Sequence, residues 1–136
     1  VRLVGSEMCI RDRERLVYRS KATHPLGSLH LFNLLNEARQ KNAKLEITGH
    51  LLYLDGEFTQ CIEGPATSIE QLWRSLQNDP RHFDIVLVTR HPVNQRRFPD
   101  WTMAFSSYPS LNSMNMPGFF PVDAQGRTEQ ARVCME

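Results

Sequence analysis

Two side chains in this sequence, a phenol and a primary amide, are of types that can exchange hydrogen bonds with a heteroaromatic ring. Tyr18 lies in the run RLVYRS at residues 15–20, and Gln60 lies in the run EFTQCIEG at residues 57–64. An amide offers a carbonyl acceptor and two N–H donors, so Gln60 can bridge a phenol and a ring heteroatom. Each residue alone is also typical of an ordinary core. Their chemistry becomes informative only if both project from one face of the same sheet.

Alternation along both runs predicts that Tyr18 and Gln60 project from one face of the same sheet. Side chains alternate across a strand, so every second residue shares a face. The residues assigned in this way to one apolar face are Leu16, Tyr18, Ser20, Phe58, Gln60 and Ile62. Cys61 points to the opposite face and takes no part. Asp55-Gly56 precedes the second run and is the strongest short hairpin signal, because both turn residues need positive φ.

A helix is predicted over about residues 26–42, and it brings a further amide to the same region. Its apolar stripe consists of Leu31, Leu34, Leu35 and Ala38 at helical spacing. Asn42 falls on the same stripe, where a buried amide must find hydrogen-bond partners. The alternative is that Asn42 caps the C-terminus of the helix.

The remaining elements complete a ferredoxin-like α+β fold. Thr67-x-x-Glu70 predicts a capping box that opens a second helix, whose inner stripe is Ile69, Leu72, Trp73 and Leu76. That helix should stop before Asp79-Pro80. Residues 83–90 are β-branched and suit a central strand. A last strand should place Trp101, Met103 and Phe105 on one face. The order β-α-β-β-α-β-β predicts a five-stranded mixed sheet with two helices on one face.

Composition excludes several classes of function. The chain has 136 residues, enough for one core, and a formal charge of +1, without the basic excess of a nucleic-acid-binding domain. No apolar run approaches the roughly 20 residues of a membrane span. Its three cysteines are far apart in sequence and lack CxxC spacing. We therefore expect neither a disulfide framework nor a metal site, and a cytoplasmic location.

The two ends of the chain are expected to lie outside the folded domain. The stretch LVGSEMCIRD at residues 3–12 resembles a translated sequencing adapter and lacks the design of a signal peptide. We expect residues 1–13 to be non-native or disordered, residues 14–107 to form the domain, and residues 108–136 to form a weakly ordered tail. That tail should contain at most one short helix, near residues 128–133.

Five fragments in order resemble the BLUF domain, a blue-light sensor that uses FAD. They are YRS at 18–20, AR-x-x-NA at 38–43, ITG-x-LLY-x-DG-x-F-x-Q-x-IEG at 47–64, D-x-RH at 79–82 and RRF-x-x-W-x-M at 96–103. The resemblance implies non-covalently bound FAD and light-driven transfer of an electron and a proton from Tyr18. Gln60 would then rotate or tautomerise, giving a small red shift without a covalent adduct.

The resemblance also implies the residues around the flavin. Asn42 would bind the pyrimidine edge, and Arg81 and His82 would lie near the ribityl and phosphate end, where a cation suits phosphate. Apolar walls would come from Leu34, Leu51, Phe58 and Ile62, and Ser20 would reach the flavin edge. Either Trp101 or Met103 would lie beside Gln60. Lys41 and Ala38 replace residues found in some members of the family.

Other functions remain as alternatives. A light-insensitive ferredoxin-like ligand-binding or interaction domain would have the same fold. An acylphosphatase-like enzyme is disfavoured, because SKATHPLG at residues 20–27 is not a glycine-rich anion loop, and we expect no enzymatic activity. Signalling would require an unidentified downstream protein or self-association. The opposite sheet face, with Val17, His50, Leu52 and Leu54, would be covered by the tail or by another subunit.

Overall fold

The protein forms a five-stranded sheet that carries two long helices on one side. A computed structural model describes residues 12–135. Its strands are β1 (Arg13–Ala22), β2 (Thr48–Leu54), β3 (Glu57–Pro65), β4 (His82–Pro92) and β5 (Ala104–Ser106), and its helices are α1 (Ser28–Leu45), α2 (Ala66–Gln77) and α3 (Glu129–Met135). A 3-10 helix spans Pro109–Asn112. This order confirms the predicted ferredoxin-like layout. The stretch predicted to be non-native lies almost entirely outside the described residues.

The strand order is β4-β1-β3-β2-β5, which places β1 and β3 at the centre. They pair antiparallel with Tyr18 directly opposite Gln60. The hairpin between β2 and β3 turns at Asp55 and Gly56, whose φ angles are 50° and 83°. Both angles are positive, as the Asp-Gly signal predicts. Among the five strands of residues 12–135, β2 and β5 pair in parallel and the other neighbouring strands pair antiparallel.

Both long helices pack on the face that alternation assigned to Tyr18 and Gln60. Leu31 and Leu35 of α1, and Ile69 and Leu72 of α2, belong to the same buried cluster as Tyr18. Helix α1 begins and ends later than predicted, and its C-cap is Glu46 in the left-handed conformation. Asn42 therefore lies inside the helix, which rules out a capping role for it.

Two local predictions about α2 and β4 are wrong. The capping box is absent: Pro65 precedes α2 without a side-chain cap, and the Glu70 carboxylate accepts hydrogen bonds from Arg74 and Arg90 instead. Strand β4 is an edge strand rather than a central one. Its apolar residues are therefore largely solvent-exposed, including Val86 at 54%.

The end of the domain also differs from prediction. Strand β5 contains only Ala104–Ser106, so Trp101 precedes it and is not governed by strand alternation. The tail contains a 3-10 helix as well as α3, and α3 lies close to the predicted position. Residues 117–120 run beside β5, since Phe105 N–H donates to Gly118 O and Phe120 N–H donates to Phe105 O, both at 2.9 Å.

The tail covers part of the opposite sheet face. Cys134 of α3 packs in a buried cluster with Val17, Cys61 and Phe98. Two cysteines that are far apart in sequence thus come together as free thiols, which the spacing did not predict. The sequence left open whether the tail or another subunit covers this face. Among the described residues, the tail covers part of it.

Candidate functional site

The site is a cavity between α1, α2 and the helix-facing side of the sheet. Counting its open mouth, the cavity contains about 830 Å³ of empty space. Its apolar walls are Leu34, Ala38, Leu51, Phe58, Leu72 and Leu76. Its buried polar and sulfur-bearing side chains are Tyr18, Asn42, Gln60, His82 and Met103, and its more exposed rim carries Glu37, Lys41, Ser75, Asp79 and Arg81. Polar groups at the buried end of an apolar cavity suit a flat ligand with one hydrogen-bonding edge.

Tyr18, Gln60 and Met103 form a hydrogen-bonded series at the buried end. The Tyr18 hydroxyl donates to Oε1 of Gln60. The Gln60 amide in turn donates from Nε2 to Sδ of Met103 at 3.5 Å. A thioether is only a weak acceptor, so much of the donor capacity of this amide is directed at a weak partner. The arrangement fixes the orientation of the amide while leaving it able to donate to a ligand.

The phenol of Tyr18 is held in its neutral form. Burial raises the pKa of Tyr18 well above its ordinary value, the Asp79 carboxylate raises it further, and the Arg81 guanidinium acts in the opposite direction. The ring is flanked by Trp73, with centroids 5.6 Å apart, and by His82 at 5.9 Å. Tyr18 is therefore a hydrogen-bond donor at neutral pH.

Asn42 binds backbone beyond the cavity. Its Nδ2 donates to the carbonyl of Thr102 at 2.7 Å, which ties α1 to the segment leading into β5. The backbone carbonyl of Thr102 is thus one of the hydrogen-bond partners that this buried amide was predicted to require. Asn42 also lines the cavity, so one side chain serves both the cavity wall and the position of residues 102–103.

His82 is buried, whereas its neighbour Arg81 lies exposed at the rim. His82 contacts the Leu76 carbonyl through Nε2 at 2.5 Å and Ser20 Oγ through Nδ1 at 2.7 Å. A carbonyl only accepts, so Nε2 carries a proton and, in the neutral ring, Nδ1 accepts from Ser20. Arg81 is exposed and pairs with Asp79 at 2.6 Å and Glu37 at 3.4 Å.

Three residues assigned to the site from sequence lie outside the cavity lining. Ser20 is buried behind His82, and Ile62 is fully buried in the core. Trp101 packs edge-on against Phe120, with ring centroids 6.3 Å apart. Met103 therefore occupies the place beside Gln60 for which the sequence left both residues open. Met103 lies in the same buried cluster as Phe105, as alternation predicted, whereas Trp101 precedes β5 and departs from it.

Sequence reasoning did not assign Glu37, Ser75 and Asp79 to the rim of the cavity. Lys41 Nζ donates to Ser75 Oγ at 3.1 Å, joining α1 to α2 across the mouth. The helical spacing of Leu34, Glu37 and Lys41 could have revealed this side of the cavity, since residues three and four apart lie on one face.

The family follows from a comparison with known sequences. The profile of the BLUF family, described as sensors of blue light using FAD, matches residues 14–104. The chain belongs to the BLUF family. Residues 14–104 include every buried polar residue of the cavity, so the family assignment and the geometry refer to the same site.

Relatives of this BLUF domain include light-regulated enzymes. The photoactivated adenylate cyclase subunit beta of Euglena longa is 42% identical over 89 residues, which are 65% of this chain and 10% of that protein. The chain thus spans about a tenth of the cyclase subunit. Among solved structures, the dark state of BlrB, a BLUF protein, has a TM-score of 0.69 at 35% identity and covers 76% of this chain and 79% of its own. A bacterial light-regulated adenylyl cyclase has a TM-score of 0.68 at 31% identity, and the match covers 70% of this chain and 28% of the cyclase chain.

FAD, the cofactor of this family, fits the residues of the cavity. The apolar walls suit the faces of a flavin ring, and the Gln60 amide can donate to a ring heteroatom at the buried end. Lys41 and Arg81 place cations at the rim, where a phosphate would compete with Asp79 and Glu37 for Arg81. Within residues 12–135 no group of three or more metal-binding side chains is found. Over the same residues no helix has the length and hydropathy of a membrane span.

Proposed function

We propose that this chain senses blue light through non-covalently bound FAD, with Tyr18 and Gln60 as the photochemically active pair. The observation that carries the proposal is the hydrogen bond from the Tyr18 hydroxyl to Gln60 Oε1 at the buried end of the cavity. When bound, the flavin supplies absorption of blue light and an excited state that accepts one electron. The protein supplies binding, orientation and hydrogen bonds.

Tyr18 is the electron and proton donor in this proposal. Its phenol is neutral, because burial disfavours the phenolate. Loss of an electron makes a phenol strongly acidic, so its proton would leave along the existing hydrogen bond to Gln60 Oε1. Gln60 would stay neutral by passing one of its Nε2 protons to the bound flavin. The electron and the proton both return to Tyr18 afterwards. No net oxidation occurs, and no covalent adduct is formed.

Gln60 retains the change as a rotated or tautomerised amide. Rotation about its last side-chain bond would turn Nε2 toward Tyr18 and Oε1 toward Met103. A thioether cannot donate a hydrogen bond, so the contact between Gln60 and Met103 Sδ would be lost. The lit state would therefore differ from the dark state at the flavin edge and at Met103.

The test is a light-minus-dark absorption spectrum of the purified protein. We expect a reversible red shift in the wild type that is lost in Gln60→Leu and in Tyr18→Phe. Tyr108→Phe is a matched control, because Tyr108 lies outside the cavity and contacts Asp55. Flavin absorption without a shift would leave a flavin-binding domain that does not sense light. A colourless protein would favour the light-insensitive alternative.

We further propose that this domain is a sensor without enzymatic activity and that its signal passes to an effector by protein contact. Support comes from the light-regulated cyclases, in which the matched region is a small part of a longer chain. The free edge of β4 offers a contact surface, with Phe83, Val86 and Leu87 each about half exposed. Size-exclusion chromatography with light scattering, in the dark and under blue light, would show whether the partner is a second copy.

A further inference from the structure

Arg39 joins three parts of the molecule at one point outside the cavity. It lies on α1 and is half-buried. Its Nε donates to the carbonyl of Met103 at 2.9 Å, and its Nη2 donates to the carbonyl of Pro117 at 2.8 Å. One guanidinium therefore holds the backbone of the residue that contacts Gln60 and the backbone of the tail.

The Met103 end of this contact leads directly to the photochemical pair. The thioether of Met103 accepts the hydrogen bond from Gln60, and the carbonyl of the same residue accepts from Arg39. One helical turn along α1, Asn42 holds the neighbouring carbonyl of Thr102. A change in the Gln60 amide thus acts on a segment whose backbone is tied to α1 at two consecutive residues.

The Pro117 end leads to the tail, which is bound to the sheet beside β5. Gly118 O accepts from Phe105 N–H, and Phe120 N–H donates to Phe105 O. Because β5 begins directly after Met103, a movement of Met103 reaches these bonds through two routes, the strand and Arg39.

The surroundings of Arg39 leave little room for it to rearrange. A Cβ at Gly118 would lie 2.8 Å from Nη2 of Arg39 and 2.9 Å from Cε3 of Trp101, and Gly118 has a φ of +82°. The guanidinium also lies over the Trp101 ring at 6.0 Å. Burial lowers the pKa of Arg39, so its charge is partly removed from water and depends on the two carbonyls. We therefore expect the hydrogen bonds from Arg39 to the Met103 and Pro117 carbonyls to form and break together.

We propose that Arg39 is a positioning residue that couples the orientation of Gln60, through Met103, to the order of the tail segment 117–120. This inference rests on the proposed light-sensing function and adds to it a specific exit route. In the dark Arg39 holds Met103 against Gln60 and Pro117 beside β5. When Gln60 no longer donates to Met103, the shared guanidinium contact loosens and the tail segment becomes more mobile.

The experiment combines absorption spectroscopy with hydrogen–deuterium exchange of peptides that cover residues 116–122, in darkness and under blue light. In the wild type we expect light to speed exchange of this segment. In Arg39→Gln we expect exchange to be faster by about tenfold already in darkness, with or without bound flavin, and the light effect to disappear. The red shift itself should persist, since Arg39 does not line the cavity, but its dark recovery rate should change by about threefold or more.

Three further variants make the result decisive. Arg39→Lys, which can hold only one carbonyl well, should lie between the wild type and Arg39→Gln. Arg74→Gln is the control, because the Arg74 guanidinium is exposed and bonds Glu70 on its own helix. Gly118→Ala disturbs the same contact from the side of the tail, because its Cβ would meet Arg39 Nη2. It should have the same effects on exchange and recovery as Arg39→Gln, and it provides a second test if Arg39→Gln folds poorly. The two changes combined should be non-additive.

Two results would overturn the proposal. One is a wild-type red shift without any light effect on residues 116–122, and the other is an Arg39→Gln or Gly118→Ala protein that keeps the full light effect. In both cases the photoreceptor function would stand. Absence of the red shift in the wild type would instead remove the proposed function, so the two failures are distinguishable.

Discussion

Tyr18 and Gln60 occupy directly opposite positions on the adjacent antiparallel strands β1 and β3, and the phenol donates its hydrogen bond to the amide oxygen. Both side chains are buried. A phenolate could not donate this bond, so the orientation of Gln60 depends on Tyr18 remaining protonated. The protonation of Tyr18 and the orientation of Gln60 are therefore coupled.

Alkaline pH is expected to destabilise the fold through Tyr18. Burial and then the Asp79 carboxylate raise its pKa above the ordinary value of about 10. A raised folded-state pKa contributes stability that is fully present below about pH 10 and is lost as the pH rises toward the folded-state value. Urea unfolding at about pH 9 and about pH 11 should show a decrease in unfolding free energy that is smaller in Tyr18→Phe. Equal decreases in the two proteins would contradict this assignment.

Met103→Leu should distinguish the effect of the thioether acceptor from the effect of side-chain volume. Leucine retains most of the buried volume but cannot accept the hydrogen bond from Gln60 Nε2. We expect normal flavin content, a retained red shift and a dark recovery rate changed by about threefold to tenfold. Met114→Leu is the matched control, because Met114 is exposed and should leave recovery unchanged. An unchanged recovery rate in Met103→Leu would contradict a role for the thioether.

His50 should make the fold sensitive to acid. Its ring is fully buried, contacts Ser106 Oγ at 2.8 Å and stacks on Phe98 with centroids 5.3 Å apart. Burial lowers its pKa to about 4. A lowered folded-state pKa means stability that is present above about pH 6.5 and lost as the pH falls toward 4, by at most roughly 3 kcal/mol. Urea unfolding as a function of pH should show this loss.

The matched control for His50 is His24, which is exposed. His50→Gln should flatten the pH dependence of the unfolding free energy between about pH 6.5 and 4, whereas His24→Gln should not. An NMR titration offers a second measurement, in which the His50 ring resonance should stay constant down to about pH 5. Titration near its ordinary pKa would sink the prediction.

Glu63→Gln is expected to be among the most destabilising single changes on the opposite sheet face. The fully buried carboxylate accepts from Arg15 Nε at 2.7 Å, from Arg97 N–H at 2.8 Å and from Phe98 N–H at 3.0 Å. Removing its charge leaves the buried guanidinium of Arg15 uncompensated, at a cost of about 3 kcal/mol. Glu57→Gln, at an exposed position of the same strand, should change the urea midpoint little. A loss below about 0.5 kcal/mol for Glu63→Gln would disprove this role.

Local patterns in the sequence were sufficient to predict which residues share a face. Strand alternation assigned Tyr18 and Gln60 to the helix-facing side, and the Asp55-Gly56 turn set the register of the hairpin that presents Gln60. These features depend on side-chain period and turn conformation, which neighbouring residues determine. The prediction for β4 was wrong because a β-branched run looks the same whether its strand lies at the centre or at the edge of a sheet.

The sequence by itself determined the fold class, the inward pair Tyr18 and Gln60, and the presence of Asn42 on the inner stripe of α1. Only the tertiary structure decided that Met103, and not Trp101, lies beside Gln60, and that Cys134 of the tail packs against Cys61. The physical reason is the range of the interactions. Alternation and helical period are local, whereas the position of residues 101–103 depends on Arg39 and Asn42, about 60 residues away along the chain.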